Sequence, residues 1–451
     1  LIQLFCYDRL KGESRLMADQ YKLIENKTLQ EKLYHFRIDP GMDLYVLPRP
    51  GYRKKYAIFS TRFGSIDNKF RIEPEQEFTD LPDGVAHFLE HKLFEDERGN
   101  VFDRFATLGA SANAYTSFTQ TTYLFSCTER FEDSFRVLLD FVQEPYFTEQ
   151  TVQKEQGIIG QEIRMYDDHP QWRVFFNLLE SLYQAHPVRN DIAGTVGSIS
   201  RITPELLYRC YNTFYHPGNM AVFVVGDLNP QQIHSLAAEN IAARGYNPLG
   251  TIIRSFPFEP SEVLKRRAEQ QLVVSEPIVF IGFKDADAGN FKGRDLMRRE
   301  ILMELVLDII FGISEKLYND LYQENLIDEN FGAEYTAESN YGYVMIGGES
   351  GDPDQLCERI MAAVEALKKE GIDQEQFERH RRKILGGYIR RFNSLEFIAN
   401  NFLAYRFRET DLFELPAILQ EVKLEEALAL AAETLDPNRH AVSLILPAGE
   451  K

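Results

Sequence analysis

Two of the nine histidines in this 451-residue chain, His87 and His91, stand four positions apart in "DGVAHFLEHKLFED", with Glu90 beside the second. At 100° per residue of α-helix, His87, Glu90 and His91 fall within an arc of about 100°, so their side chains can converge on one point. Two imidazoles so placed can each offer a nitrogen to one zinc ion, while the carboxylate between them stands next to the ion without binding it. Zinc lowers the pKa of water toward neutrality, and a neighbouring carboxylate can take the proton as the oxygen attacks a polarised carbonyl. This is the chemistry of peptide hydrolysis. The plainer reading of the same residues is a polar cluster on a solvated helix face.

A helix has to carry these groups. Asp83 is expected to cap one that starts at Gly84, with Val85, Leu89 and Leu93 recurring at four-residue steps as its anchoring stripe. Zinc normally takes at least three protein ligands, so a third must come from another element. The stretch "TEQTVQKEQGIIGQEIRMYDD" reads as a second helix, on which Glu155 and Glu162 lie on nearly the same face, 162 minus 155 or seven residues apart. One is suited to bind metal, the other to orient a histidine or a water from behind it. Gly157 and Gly160 predict a close approach to a neighbouring element, because glycines inside a helix cost stability.

The elements around these helices repeat. Tyr115 in "AYTSFTQTTYLFS" and Tyr335 in "EYTAESNYGYVMI" are 335 minus 115, or 220, positions apart, and Ala221 of "AVFVVGDL" and Ala441 of "AVSLILPA" share that offset. All four segments alternate or run apolar as strands do. The repetition predicts a duplicated α+β domain, each copy a mixed sheet with helices on it. The stretch from Arg244 to Arg267 carries Pro248, Pro257 and Pro260 without periodicity and reads as the connection. The expected layout is residues 18–245 for a metal-bearing half, 246–261 for the linker and 262–451 for a second half. At the offset of 220, His87, Glu90 and His91 correspond to Leu307, Ile310 and Phe311, so the second half lacks a metal site of its own.

Composition narrows the partners. A net charge of −19 argues against nucleic acid, whose phosphates need a basic surface, and suits a cationic or extended peptide better. The cysteines Cys6, Cys127, Cys210 and Cys357 are widely spaced, which gives neither a disulfide framework nor a zinc ribbon and fits a reducing, cytoplasmic setting. No apolar run approaches the roughly 20 residues that span a bilayer, so no membrane association is expected. "LIQLFC" at the start lacks the basic region of a signal peptide, and Met17 is the more natural first residue. Trp172, His169, His186 and His216 read as core or surface residues, His216 in a turn.

Taken together, the inverted motif His87-Phe88-Leu89-Glu90-His91, "GASANAYTSFTQTTY", the pair Glu155 and Glu162, "FYHPGNMAVFVVGDL" and the duplicated second half resemble the pitrilysin/insulinase family of zinc peptidases, the inverzincins. The resemblance covers most of residues 20–450. Length and layout are similar to the smaller bacterial relatives of the mitochondrial processing peptidase β subunit. It implies two homologous α+β domains, largely antiparallel in their sheets, that face each other as a clam-like pair. It also implies one zinc per chain, held by His87, His91 and Glu162, with Glu90 as general base and Glu155 supporting the site from behind. The interval from His91 to Glu162, 162 minus 91 or 71 positions, is a few residues shorter than the family's, as a trimmed loop would make it. In "SANAYTS" the resemblance implies a substrate-binding edge strand, on which Asn113, Ala114 and Tyr115 pair with an extended peptide.

One departure stands out. The family's second domain normally supplies an arginine and a tyrosine to the reacting carbonyl, and a gapless alignment puts Tyr322 and Glu329 in their places. A carboxylate cannot stabilise an oxyanion. The preferred expectation is that a homologous, metal-free subunit supplies both groups. The alternatives are a weakly active homodimer using other donors, a misplaced alignment, or a non-catalytic assembly subunit.

Overall fold

A computed structural model describes residues 21–97 and 99–448, so Cys6 and Met17 lie outside the described residues. The first half is built on a seven-stranded sheet. Its strands are β1 (Lys22–Asn26), β2 (Glu31–Ile38), β3 (Met42–Pro48), β4 (Lys55–Thr61), β5 (Ser111–Thr116), β6 (Thr121–Cys127) and β7 (Met220–Gly226). They lie in the order β1-β2-β3-β7-β4-β6-β5, antiparallel except for β3 beside β7. The second half has a five-stranded sheet of β8 (Arg267–Leu272), β9 (Ile278–Lys284), β10 (Gly332–Ala337), β11 (Gly342–Glu349) and β12 (His440–Pro447). Its order, β8-β12-β9-β11-β10 with β8 parallel to β12, repeats the first sheet without the β1–β2 hairpin. Tyr115 and Tyr335 sit on the equivalent edge strands β5 and β10, and Ala221 and Ala441 on β7 and β12.

Both faces of the first sheet are covered at its centre, which is why β7 is apolar and buried along its whole length. On β7, Val222 and Val224 pack with the first half's own helices, whereas Ala221, Phe223 and Val225 face the other way into a second core. That second core is filled by a helix from the opposite half. Helix α6 (Leu395–Phe407) lies on β4 and β7 with Ile398, Phe402 and Leu403 buried, and α3 (Pro170–Leu182) lies on β9 and β12 in return. Gly282 makes the second seat possible, since a Cβ there would come within 2.9 Å of methyl carbons of Leu178 and Leu182. Each half therefore completes the other's core, an exchange that a hydrophobic stripe cannot reveal because it does not say which sheet the stripe meets.

The expected linker is also tied down. Ile252–Arg254 pairs with the strand Lys69–Ile72, and Glu259 accepts the backbone N–H groups of Gln184, Ala185 and His186 while pairing with Lys284. Cys127, Cys210 and Cys357 are free thiols. Among the described residues, no helix is long and apolar enough to cross a membrane.

Candidate metal and catalytic site

Helix α1 (Val85–Leu93) carries the histidines, and α2 (Glu149–Asp167) the two glutamates. The start of α1 differs from expectation. Gly84, at φ 91°, occupies the cap position, and the Asp83 side chain instead accepts from Asn190 Nδ2 at 3.1 Å. The loop of residues 190–198 presses so closely on this point that a side chain at Gly84 would collide with the Ala193 carbonyl. The cap position thus falls one residue later than expected, and its left-handed backbone suits glycine. Helix α2 begins with a capping box between Thr148 and Thr151. It is held by Val152, Ile159 and Ile163. Gly157 and Gly160 do not mediate the contact, because a Cβ at either would meet nothing within 4 Å. The expectation of glycine-mediated packing is thereby corrected.

The two helices cross so that His87, His91 and Glu162 each present one ligand atom, all within 4.8 Å of one another. His87 Nε2 lies 3.8 Å from Glu162 Oε1, and His91 Nε2 lies 3.6 Å from Glu162 Oε2. Ligands about 2.1 Å from a tetrahedral zinc are separated by about 3.4 Å, so these spacings are a few tenths of an ångström longer than the edges of such a site. The other nitrogen of His91, Nδ1, is 3.1 Å from Glu155 Oε1, which directs Nε2 toward Glu162. Glu90 is buried beside them, and Thr116 Oγ1 on edge strand β5 donates to its Oε2 at 2.6 Å.

The electrostatics favour a cation. Three carboxylates surround two imidazoles, and among the described residues no lysine or arginine forms an ion pair with Glu90, Glu155 or Glu162. Burial, with repulsion from His91 added, pushes the His87 imidazole down to about 3, so it is neutral and its lone pair is free. Burial alone would lower His91 as well, but the hydrogen bond to Glu155 and the charges of Glu90 and Glu162 outweigh it and raise that imidazole. Burial raises Glu90 above the usual carboxylate range, against the hydrogen bond from Thr116 and the charge of His91. The donor set of two imidazoles and one carboxylate fits zinc.

Asn113, Ala114 and Tyr115 lie on β5, which among the described residues is paired only with β6 and leaves its other edge open. The Asn113 side chain accepts the Ala114 N–H at 2.9 Å, and Tyr115 OH donates to Asn400 of α6 at 3.1 Å. The strand is thus anchored to the opposite half. Tyr322 and Glu329 are not brought to the histidines. Tyr322, on α5 (Lys316–Gln323), is half exposed and stacked on Tyr318. Glu329 opens into a cavity of about 570 Å³ lined entirely by second-half residues, among them Leu307 and Phe311 of α4 (Gly293–Phe311). Of the residues read as plain core or surface, His169 caps α3, His186 is buried in its core, and His216 turns the chain toward β7. Trp172 is closer to the chemistry than its isolation in sequence suggests. Its ring stacks on Tyr166 at 4.4 Å, and Tyr166 OH donates to Glu162 Oε1 at 2.7 Å. Burial and the Glu162 carboxylate both raise the Tyr166 phenol. Thr116 and Tyr166 were missed at the level of sequence; the one available signal was the helical step of four from Glu162 to Tyr166.

An inverted His-x-x-Glu-His helix set against a glutamate helix, within a duplicated and helix-exchanged α+β fold, defines a recognisable class. The model of the insulinase family, peptidase family M16, matches residues 77–196, and that of the M16 inactive domain matches residues 201–384. The chain is 45% identical over 427 residues to YmfH of Bacillus subtilis, described as an uncharacterized zinc protease, with 94% of this chain and 99% of the relative covered. An M16-like peptidase from Alicyclobacillus acidocaldarius superposes with a TM-score of 0.90 at 38% identity, covering 94% of this chain and all of that one. The β subunit of the mitochondrial processing peptidase of Caenorhabditis elegans is 28% identical over 203 residues, 44% of this chain and 43% of its own. The chain belongs to the M16, or pitrilysin/insulinase, peptidase family.

Proposed function

We propose that the chain is a zinc-dependent endopeptidase for extended or unfolded peptides, and that it works as the zinc subunit of a heterodimer. The observation that carries this reading is the meeting of His87, His91 and Glu162 beside Glu90, against the open edge of β5. His87 and His91 would give their Nε2 atoms and Glu162 a carboxylate oxygen to one zinc ion. Zinc, when bound, would polarise the scissile carbonyl and acidify the attacking water. Glu155 accepts from His91 Nδ1 and so keeps the Nε2 lone pair available. Thr116 occupies Glu90 Oε2, which leaves Oε1 to receive the proton of the attacking water and to pass it to the departing amine. The backbone of Asn113, Ala114 and Tyr115 would hold substrate as an added strand, a mode indifferent to most side chains.

The heterodimer follows from what the second half lacks. With Tyr322 and Glu329 in place of an arginine and a tyrosine, those two positions offer the developing oxyanion neither of the expected donors, and a homologous, metal-free subunit would supply them. The same lack, together with the match of residues 201–384 to the inactive-domain model, favours the second reading, a non-catalytic assembly subunit. Cleavage of an unstructured fluorogenic peptide separates the two. A mixture of the chain with its homologous partner is expected to cleave at least about 10²-fold faster than the isolated chain, the order of effect of one oxyanion donor. A chelator should abolish cleavage and zinc restore it. Equal activity of the isolated chain would sink the heterodimer; zinc-independent cleavage, or none from the mixture, would leave the assembly subunit.

A further inference from the structure

We propose that Tyr166 is a positioning residue that fixes the carboxylate of Glu162 for metal binding, and that Trp172 and Asp191 hold it there. The inference rests on the reading of His87, His91 and Glu162 as a zinc site. Glu162 is the member of that set with the longest and most flexible side chain. His87 is buried and the half-buried His91 is held from behind by Glu155, whereas the Glu162 side chain, 21% exposed, has no such support from the histidine helix. Among the described residues, its one hydrogen-bond donor is Tyr166, one helical turn further on, at 2.7 Å from Oε1. A carboxylate on three side-chain torsions gains a defined orientation from a single well-aligned donor, and partners of this kind usually tune metal affinity.

Tyr166 is itself immobilised. Its ring lies almost parallel to Trp172, 13° between planes, and Trp172 Nε1 donates to Asp191 Oδ2 at 2.5 Å. Asp191 is set in turn by the Ala193 N–H, which donates to its other oxygen at 2.9 Å. Ala193 is the residue packed against Gly84, where α1 begins. Asn190 of the same loop bonds Asp83, and Ser198 Oγ donates to the Asp83 carbonyl at 2.8 Å. A single loop, residues 190–198, therefore sets the start of the histidine helix and, through Asp191, Trp172 and Tyr166, the carboxylate that faces it. The third ligand and the first two share a common reference.

The chain contains one tryptophan, so intrinsic fluorescence reads this contact directly. Full-length protein stripped by chelator is titrated with zinc, following Trp172 fluorescence and competition with a chromogenic chelator. Cobalt(II) is then bound and its visible spectrum recorded. For Tyr166→Phe, which removes one hydroxyl, the zinc dissociation constant is expected to rise on the order of 10–100-fold, with an altered cobalt spectrum and with thermal unfolding of the metal-free protein unchanged. If wild type binds zinc and Tyr166→Phe binds it equally with the same cobalt spectrum, the positioning role is wrong and the zinc site stands. If wild type binds no zinc, the site reading falls and this inference with it.

Discussion

Replacing Glu90 by glutamine is expected to leave zinc bound and to reduce peptide cleavage by the active assembly roughly 10²–10⁴-fold, the contribution of a positioned general base. The two halves of that expectation have separate origins. Glu90 points at the strand side of the site, where Thr116 holds Oε2, and takes no part in the cluster formed by His87, His91 and Glu162. An amide of the same shape keeps the contact with Thr116 by offering its carbonyl oxygen, so α1 has no reason to move. It cannot accept the proton of the attacking water. The change is read as kcat at saturating peptide together with zinc content per chain. Unchanged cleavage, or parallel loss of zinc, would remove Glu90 from the base role.

Glu162→Gln is expected to act on the metal instead. Loss of the one anionic ligand leaves two neutral imidazoles, and zinc affinity should fall by more than the roughly 10–100-fold that loss of an outer partner costs. The folded chain should survive, because Glu162 sits at the rim and contributes nothing to the apolar core. Chelator competition on the purified variant, with thermal unfolding alongside, checks both statements. Wild-type affinity in this variant would mean that the third ligand lies elsewhere, with Glu155 the first candidate.

Much of this site was legible because helical periodicity is a local rule. The steps from His87 to His91 and from Glu155 to Glu162 determine which side chains share a face, and the structure brings those faces together. The duplication was legible for a similar reason: edge and central strands keep their own apolar patterns, so β5 and β10, and β7 and β12, align at one offset. What failed depended on long-range geometry. Asp83 has the composition of a helix cap, yet its side chain accepts from Asn190 of a distant loop and the cap position falls to Gly84. Gly157 and Gly160 suggested a tight contact, but the residues that touch the neighbours are Val152, Ile159 and Ile163. The reciprocal placement of α3 and α6 is invisible in either stripe, since an apolar face reads the same whichever sheet it meets. Trp172 looked like an isolated aromatic residue, and only the fold sets it against Tyr166 and Asp191.

The most direct test of the central claim is an anomalous difference map recorded at the zinc absorption edge from crystals of the zinc-treated protein. The account predicts one peak about 2.0–2.2 Å from Nε2 of His87, Nε2 of His91 and a carboxylate oxygen of Glu162. The other group of close carboxylates, Asp285, Asp287 and Glu433, should stay empty, because the Arg299 guanidinium already bonds Asp285 at 2.8 Å and Glu433 at 2.6 Å. Absence of a peak between the two histidines and Glu162, or a peak at the Asp285 group alone, would contradict it.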